Sequence, residues 1–322
     1  MGVVNFLEST SKEEWNSFVD RSPHGSVFCY YEWLEFSTDG DFEILVYVEN
    51  NEIIAGMPLP FYSTNKIRLP LLTQKMGVLF KDFSDLKYTT KLEKEKEIIY
   101  DFVDILKSKK KSYSMNFDWH FDNWLPFYWK GYEQTTRYTY VIDYSKKNPD
   151  SIWEEMDQKT RNSIRKASKN SLDVLETNNL SKFFEINKKT FTRQGMKIPY
   201  SYDYIKKLYD CFKDKIKIFM AIDNNKNIHA MNFYINDKKS VYYLMSGSDP
   251  NYRNSGAQNL IHWKAIEYYY DKVKYFDFEG SMIESIESNF RKFGGTQKQY
   301  FHIYDKSILR KLKDIAKIIL KK

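Results

Sequence analysis

The segment that decides the fold begins at Val241 and reads VYYLMSGSDPNYRNSGA, ending at Ala257. Its apolar first part predicts a strand, and small and polar residues then lead into a helix with one apolar face. A loop that opens a helix in this way leaves backbone N–H groups unpaired at the helix N-terminus. Their partial positive charge suits a phosphate, Gly256 would permit close approach, and Arg253 adds a full charge. The same pattern also occurs where a helix simply begins, so this segment alone leaves both interpretations open.

The residues before this segment predict an antiparallel meander. Residues 216–222 show the period-two pattern of a strand, and the Asp- and Asn-rich residues 223–227 suit a turn, because these side chains bond their own backbone. Further strands are predicted at 228–235 and 241–245.

The first half of the chain repeats this order of elements. The predicted elements of the first half are a strand at 42–48, a turn at 49–52, a strand at 53–62, a helix at 92–108 and a strand at 113–118. The second half continues after its meander with a helix at 255–271 and a strand at 274–279. A repeated order of elements is difficult to produce by chance, so the sequence predicts a duplicated α/β fold.

Length agrees with this duplication, because 322 residues correspond to about two domains. A polar segment before residue 150 marks the boundary, and the predicted domains are 1–140 and 141–322. A helix is predicted at 152–169, with Asp150 or Ser151 as its N-cap.

Composition excludes several classes of protein. Aromatic residues make up 17% of the chain and the net charge is +7, a combination that raises the question of single-stranded nucleic acid. No basic and aromatic interleaving forms a stacking surface, so we expect no DNA ligand, and we expect most rings in the core. The cysteines, Cys29 and Cys211, lie far apart, and the histidines have no zinc-ligand spacing, so we expect no metal. The chain has no long apolar run and no signal-like N-terminus, which predicts a cytoplasmic protein without a transmembrane segment.

The loop resembles a known phosphate-binding motif. Residues 253–257, RNSGA, resemble the pyrophosphate loop of the GNAT superfamily of N-acyltransferases, although Gln258 stands where that pattern has Gly or Ala. The resemblance implies acyl-CoA, such as acetyl-CoA, as donor. The residues that it implies for binding this donor are Arg253, Asn254, Ser255, Gly256 and Ala257. Met245 and Ser246 complete the predicted donor site, because the end of the strand, where it diverges from its neighbour, would offer a backbone N–H to the oxyanion of the reaction.

Three further motifs narrow the resemblance. Residues 159–167 (KTRNSIRKA), 276–281 (FDFEGS) and 289–295 (NFRKFGG) are similar to signatures of Fem-type peptidoglycan-bridge aminoacyltransferases. This group consists of tandem GNAT folds. The resemblance therefore implies two GNAT-like domains of α/β (α+β) class, each a mixed, mostly antiparallel sheet flanked by helices. It also implies that the first domain, which lacks the loop, binds the acceptor.

Acyl transfer to an amine requires a route for the amine proton. Asp277 and Glu279 are two residues apart in a predicted strand and would lie on one face, where an apolar cleft would raise the pKa of a carboxyl group. A structural ion pair with Arg291 or Lys292, or a cap on the following helix, is the alternative role. Deprotonation without a dedicated base also stays open, and Phe290 stands where many GNAT enzymes have an acidic Tyr.

Side chains for the acceptor are predicted on one helix and on two aromatic clusters. Arg161 and Arg165 are four residues apart and would form a two-guanidinium patch for phosphate, unless they belong to a solvated helix face. The aromatic candidates, for which core packing is the alternative, are Tyr30, Trp33, Trp119 and His120.

The resemblance thus implies an N-acyltransferase that moves an acyl group from acyl-CoA to an amine on a cell-wall or surface-polysaccharide precursor, either a nucleotide-linked sugar or a peptidoglycan precursor. The alternatives are an aminoacyl-tRNA-dependent Fem-type enzyme and a non-catalytic binding protein of the same fold. The basic, amphipathic residues 307–322 are predicted to form a helix that packs on the fold or makes weak peripheral membrane contact.

Overall fold

The computed structural model describes residues 2–8 and 11–306. The predicted helix at 307–322 lies outside the described residues. The described helices are α1 (Lys12–Arg21), α2 (Tyr31–Thr38), α3 (Tyr88–Ser108), α4 (Leu125–Trp129), α5 (Pro149–Glu155), α6 (Gln158–Lys169), α7 (Leu180–Arg193), α8 (Tyr202–Phe212), α9 (Ala257–Tyr269) and α10 (Glu284–Phe290). The described strands are β1 (Val3–Phe6), β2 (Phe42–Glu49), β3 (Glu52–Ser63), β4 (Lys66–Arg68), β5 (Leu79–Phe80), β6 (Ser112–Asn116), β7 (Tyr132–Asp143), β8 (Asp173–Thr177), β9 (Ile216–Ile222), β10 (Ile228–Asn236), β11 (Ser240–Ser248), β12 (Tyr275–Asp277) and β13 (Thr296–Asp305).

Two compact units make up the chain. The second unit is residues 138–298, and the first is formed by the residues on either side of that range. Strand β13 pairs with β6, which is why residues 299–306 lie in the first unit rather than with the residues that precede them. The division into functional domains 1–140 and 141–322 stays a prediction.

Each unit contains the predicted order of elements. In the first unit the described strands follow the order β1–β2–β3–β4–β6–β13, with β5 on β3; β4 and β6 are parallel, and the other neighbours in this order are antiparallel. In the second the order is β7–β12–β11–β10–β9–β8; β11 and β12 are parallel, and the other neighbours are antiparallel. In each unit a helix, α3 or α9, lies between the two parallel strands in the chain, because parallel strands need a crossover connection. The predicted mixed α/β class is confirmed.

The two hairpins confirm the predicted turns. Asn50 and Asn51 have φ values of 51° and 60° in the two-residue turn between β2 and β3, as a type I′ turn requires. In the second unit the carboxylate of Asp223 accepts the backbone N–H groups of Asn225 and Asn227, both at 2.9 Å. Similar residues therefore build two turns of different length.

Large aromatic side chains fill the core of both units, as expected. Trp15 and Phe102 are fully buried in the first, and Tyr234 and Phe276 are fully buried in the second. Rings so placed are unavailable for stacking on nucleic acid bases.

The predicted helix at 152–169 is two helices. Helix α5 ends at Glu155 and α6 begins at Gln158, and Asp157 caps α6 by accepting the backbone N–H of Thr160 at 3.1 Å. The predicted caps of the first helix, Asp150 and Ser151, are wrong, because Asn148 is the N-cap and accepts the Ser151 N–H at 2.9 Å. The sequence pattern conceals this break, since the buried residues Ile152, Met156, Thr160 and Ile164 recur every four positions across it.

Candidate functional site

Strands β11 and β12 separate early, and this separation opens the site. Their parallel pairing covers Ser240–Tyr242 and Tyr275–Asp277, where β12 ends, whereas β11 continues to Ser248. The predicted donor-binding residues Met245 and Ser246 lie in this extension. They are not at the end of the strand, but they lie beyond its pairing with β12.

Helix α7 binds the extended part of β11. The Asn187 amide donates to the Ser246 carbonyl at 2.6 Å, and the Ser248 N–H donates to the Thr190 hydroxyl at 3.0 Å. Alternate residues of an antiparallel strand direct their backbone groups to the same side. Ser246 and Ser248, whose backbone groups bond α7, therefore direct their N–H groups away from β10. Met245, one position earlier, directs its N–H towards β10.

Gly247 permits this close packing of helix on strand. A Cβ atom at this position would lie 2.5 Å from the backbone nitrogen of Asn187, closer than van der Waals contact allows. Asn187 is itself held by the Tyr200 hydroxyl, which donates to its side-chain oxygen at 2.8 Å. The extension of β11 therefore has a fixed position relative to α7.

The loop between β11 and α9 has the geometry of an anion site. Gly256 immediately precedes α9 with φ of 81°, and its Cβ would lie 2.7 Å from the carbonyl oxygen of Ser163 on α6. The helices α5, α6, α7 and α8 each have a side-chain N-cap, but α9 has none. Among the described residues, no acceptor bonds the backbone N–H groups of Gln258 and Asn259. These donors point outward at the positive end of the helix dipole.

A cavity of about 310 Å³ lies against this loop. Residues 252–259 line it together with Ser163, His229, Ala230 and Ser248. The His229 and Tyr252 rings stack in parallel with centroids 3.9 Å apart, and Arg253 is exposed at the margin. The predicted loop residues Arg253, Asn254, Ser255, Gly256 and Ala257 therefore surround one cavity.

Two side chains tie the loop to its surroundings. Asp249 accepts from the Lys189 ammonium group at 2.7 Å, and this bond holds the pKa of the Asp249 carboxyl below its ordinary value. The Gln258 amide donates to the Gly247 carbonyl at 3.1 Å. The departure from the superfamily pattern at Gln258 thus has a structural role, since its side chain bonds α9 back to β11.

The two predicted catalytic carboxylates are not arranged as the sequence suggested. Strand β12 ends at Asp277, and Glu279 has a left-handed backbone with φ of 60°, so the prediction of one shared strand face is wrong. Asp277 is 2% exposed, accepts the Thr139 hydroxyl at 2.6 Å and accepts the Glu279 N–H at 2.8 Å. These bonds make Asp277 a residue that holds the turn.

The two arginines of α6 have separate surroundings. The Arg165 guanidinium lies 5.3 Å from the centre of the Trp153 ring and 3.4 Å from the Asn162 side-chain oxygen. Arg161 is half-buried, and its Nε atom has no hydrogen-bond partner among the described residues. Neither side chain lines the loop cavity, although Ser163 between them does.

The acceptor candidates of the first unit divide into core and surface. Trp33 is fully buried and its indole N–H donates to the Thr73 hydroxyl at 2.9 Å. Trp33 therefore packs in the core, which is the alternative to acceptor binding. Tyr30 is 5% exposed and donates to Asp20. Trp119 and His120 are half-buried and stack on each other with centroids 3.5 Å apart.

His120 belongs to a charged network at the end of β6. Its Nδ1 lies 2.6 Å from Asp118, whose other carboxylate oxygen lies 3.0 Å from the Lys75 ammonium group. Burial alone would raise the pKa of Asp118, but Lys75 and His120 hold it well below the ordinary value. Burial also lowers the pKa of nearby His24 to about 4. No sequence motif indicates the participation of Lys75.

Tyr243 is a candidate that sequence reasoning missed. It is the first residue of β11 beyond the pairing with β12, and its hydroxyl forms a hydrogen bond with Ser246. Its ring lies 5.8 Å from that of Phe290, the residue that stands where the superfamily acid would be. Burial raises the pKa of Tyr243 to about 12, which keeps its hydroxyl protonated. Only packing reveals this relation, because helix α9 and strand β12 lie between the two residues in the chain.

The described residues contain no helix that is long and apolar enough to cross a membrane. Within the same part of the chain, no group of three or more His, Cys, Asp or Glu side chains could hold a metal ion.

Comparison with known proteins confirms the resemblance that the motifs suggested. Residues 127–231 match the model of the FemAB family. The solved structure of FemX is similar with a TM-score of 0.71 and 13% identity, covering 92% of this chain and 96% of that one. No curated protein matches the sequence.

Two other solved structures share the fold. The C-terminal domain of a putative lysylphosphatidylglycerol synthetase from Agrobacterium fabrum has a TM-score of 0.58 and 11% identity, covering 97% of this chain and 96% of that one. A tandem GNAT protein from the clavulanic acid biosynthesis pathway has a TM-score of 0.53 and 8% identity, covering 94% and 98%. The predicted tandem GNAT-like fold is therefore confirmed.

Proposed function

We propose that this chain is a Fem-type aminoacyltransferase, which moves an aminoacyl group from aminoacyl-tRNA to an amine on a cell-wall precursor. The observation that carries the proposal is the uncapped N-terminus of α9, where unpaired N–H groups and Arg253 surround a cavity suited to phosphate. The FemAB match and the similarity to FemX favour an aminoacyl donor over acyl-CoA, the donor that the loop motif alone suggested.

The reaction forms a C–N bond between the acceptor amine and the ester carbonyl carbon, and it breaks the C–O bond to the terminal ribose of the tRNA. In our proposal the loop holds a phosphate near that ribose. The Ser246 N–H stabilises the oxyanion, because it points away from β10 beside the strand separation. The proton lost by the amine is balanced by one that reaches the departing ribose oxygen.

Tyr243 is our candidate for the donor of that last proton. Its hydroxyl is protonated at neutral pH and lies beside Ser246, so one short segment of β11 would serve both the oxyanion and the leaving group. Asp277 and Glu279 stay as predicted catalytic residues. The bonds of Asp277 favour a positioning role, and deprotonation by the substrate or by water needs no dedicated base.

The proposed acceptor is the amine of a peptidoglycan precursor or of a nucleotide-linked sugar, bound through the first domain and the arginines of α6. Because aminoacyl-tRNA is a cytoplasmic molecule, the proposal includes a cytoplasmic location. An N-acyltransferase that uses acyl-CoA is the second candidate, and the observation that favours it is the pyrophosphate-type loop at residues 253–257.

One experiment distinguishes these donors. The purified chain is titrated with an aminoacylated tRNA minihelix and, separately, with acetyl-CoA, and both titrations are repeated with Arg253→Gln. We expect minihelix binding that Arg253→Gln weakens about tenfold, the loss of one charge-assisted hydrogen bond to phosphate. Arg165→Gln removes the same charge from α6, outside the cavity, and should change binding less than twofold.

The outcomes separate the three functions. Binding and turnover of acetyl-CoA without minihelix binding would transfer the assignment to the acyl-CoA enzyme. Binding of neither donor would contradict both enzymatic proposals and leave the non-catalytic binding protein. Equal losses in Arg253→Gln and Arg165→Gln would show that general charge, and not the loop, attracts the donor.

A further inference from the structure

The first unit contains a second cavity, and none of the residues named above for the donor or the acceptor lines it. It has a volume of about 800 Å³ and lies where α3 ends and β6 begins. Four lysines line it, together with serine, tyrosine and histidine side chains from β6, β7 and β13; the lysines are Lys107, Lys110, Lys111 and Lys306. Its size is within the range of small-molecule sites in proteins.

Lysines outnumber carboxylates in this cavity, because four lysines and one aspartate, Asp305, are among its lining residues. Among the described residues, no carboxylate pairs with Lys107, Lys110 or Lys111. Lys109, in the same run of lysines, does not line the cavity and pairs with Glu43. Asp305 does line the cavity, and its carboxylate accepts the backbone N–H of Tyr113 at 2.6 Å. Unbalanced ammonium groups around a concave surface concentrate anions there.

A chain of hydrogen bonds supplies an oriented acceptor on the same wall. The Asn116 amide donates to the Gln74 carbonyl at 2.9 Å, so its oxygen faces His302 Nδ1 at 2.7 Å, and that nitrogen must carry the hydrogen. Burial lowers the pKa of His302 to about 4, so the ring is neutral and Nε2 is an acceptor.

The hydroxyl of Ser114 therefore donates to His302 Nε2, from which its oxygen lies 3.2 Å. Ser114 lines the cavity, and the lone pairs of its oxygen are left to accept from a ligand hydroxyl. The cavity thus combines ammonium donors for a phosphate with an acceptor for a hydroxyl group. Tyr132 and Tyr304 add aromatic surface to the same walls.

We propose that this cavity binds a small sugar phosphate. The lysines would hold the phosphate, Ser114 would accept from a sugar hydroxyl, and the tyrosine rings would contact the sugar. This site lies in the first unit and is independent of the donor loop in the second, so the two proposals can fail separately.

The experiment is a calorimetric titration of the full chain with glucose 1-phosphate, inorganic phosphate and glucose. We expect glucose 1-phosphate to bind most tightly, inorganic phosphate to bind more weakly and glucose to show no heat of binding. The double variant Lys110→Gln/Lys111→Gln should weaken glucose 1-phosphate binding at least tenfold. Ser114→Ala should reduce the preference for glucose 1-phosphate over inorganic phosphate.

Matched variants make the test specific. Lys206→Gln/Lys264→Gln removes the same charge from exposed positions outside the cavity and should leave the affinity within twofold. Equal losses in the two lysine pairs, or an absence of glucose 1-phosphate binding, would overturn the proposal. Equal affinity for inorganic phosphate and glucose 1-phosphate would overturn the assignment of a sugar.

Discussion

Two buried aspartates occupy equivalent places in the two units, and their partners differ. Phe117-Asp118-Trp119-His120 follows β6, and Phe276-Asp277-Phe278-Glu279 spans the end of β12. Each strand is the parallel partner in its unit, and in each case the aspartate accepts the backbone N–H two residues further on, at 2.9 Å and 2.8 Å. The duplication therefore retains one turn at both strand ends.

The difference lies in what neutralises the carboxylate. In the first unit Asp118 pairs with the Lys75 ammonium group and with His120, whereas in the second Asp277 accepts a neutral hydroxyl from Thr139. A buried ion pair therefore holds the end of β6. In the second unit, unpaired backbone N–H groups lie instead at the start of α9. For this reason we assign binding of the aminoacyl donor to that unit. The following predictions test this contrast, from the largest expected effect to the smallest.

Lys75→Met should lower the free energy of unfolding by about 3 kcal/mol, because it leaves the buried Asp118 without its cation. Urea denaturation measures this loss. Lys81→Met, which removes an exposed pair with Glu52, should cost less than about 0.5 kcal/mol. If both variants lose the same amount, the strand end of the first unit is not held by charge.

Gly256→Ala should cost about 2.5 kcal/mol and abolish phosphate binding at the loop, since it adds a steric clash with Ser163 to the cost of a left-handed alanine. Gly40→Ala is the matched control. Gly40 has φ of 83° with no atom within 4 Å of the added Cβ, so only the backbone cost of about 1 kcal/mol should appear. Thermal unfolding of both variants measures the difference, and equal costs would contradict the close packing at Ser163.

Acid should destabilise the protein through its buried neutral histidines. Burial lowers the pKa of His262 to about 3, whereas in the unfolded chain it is about 6.5. The unfolded state therefore binds the proton first, and stability that is complete above pH 6.5 is lost as the pH falls towards the folded pKa. Between pH 6.5 and 4.5 this one group should cost about 2 kcal/mol.

The histidine variant sharpens the contrast between units. His262→Gln should flatten the pH dependence of unfolding, measured by urea denaturation at several pH values. His24 and His302 of the first unit, whose pKa values burial lowers to about 4, should still contribute in that variant. An unchanged pH profile in His262→Gln would show that His262 does not contribute in this pH range.

Thr139→Val should have the smallest effect, about 1 kcal/mol, because it removes one hydrogen bond to Asp277 and leaves the bond from the Glu279 N–H. Thr139→Ser keeps the hydroxyl and should lie within about 0.5 kcal/mol of the unmodified protein. A loss as large as that of Lys75→Met would mean that the two aspartates are equally dependent on their side-chain partners.

Local pattern determined much of this protein from sequence alone. The alternation of residues 216–222, the Asn-rich hairpin turns and the small-residue loop at 253–257 each depend on neighbours within a few positions, and the structure has all of these elements. The repeat predicted the order of strands and helices along each half of the chain, whereas the parallel pairing came from the structure. The assignment of Arg253 and Gly256 to one cavity needed no more than the strand, loop and helix that the sequence predicts.

Tertiary structure decided what those side chains do. Trp33 is a core residue because Thr73, forty positions away, accepts its N–H. Asp277 accepts the Thr139 hydroxyl from β7, and the Tyr243 ring packs near that of Phe290; neither contact can be read from the sequence. The period of apolar residues and the spacing of motifs report on residues that are close in sequence. Burial, hydrogen-bond partners and pKa depend on distant segments that meet only when the sheets pack, so the sequence determined the loop and the fold determined its chemistry.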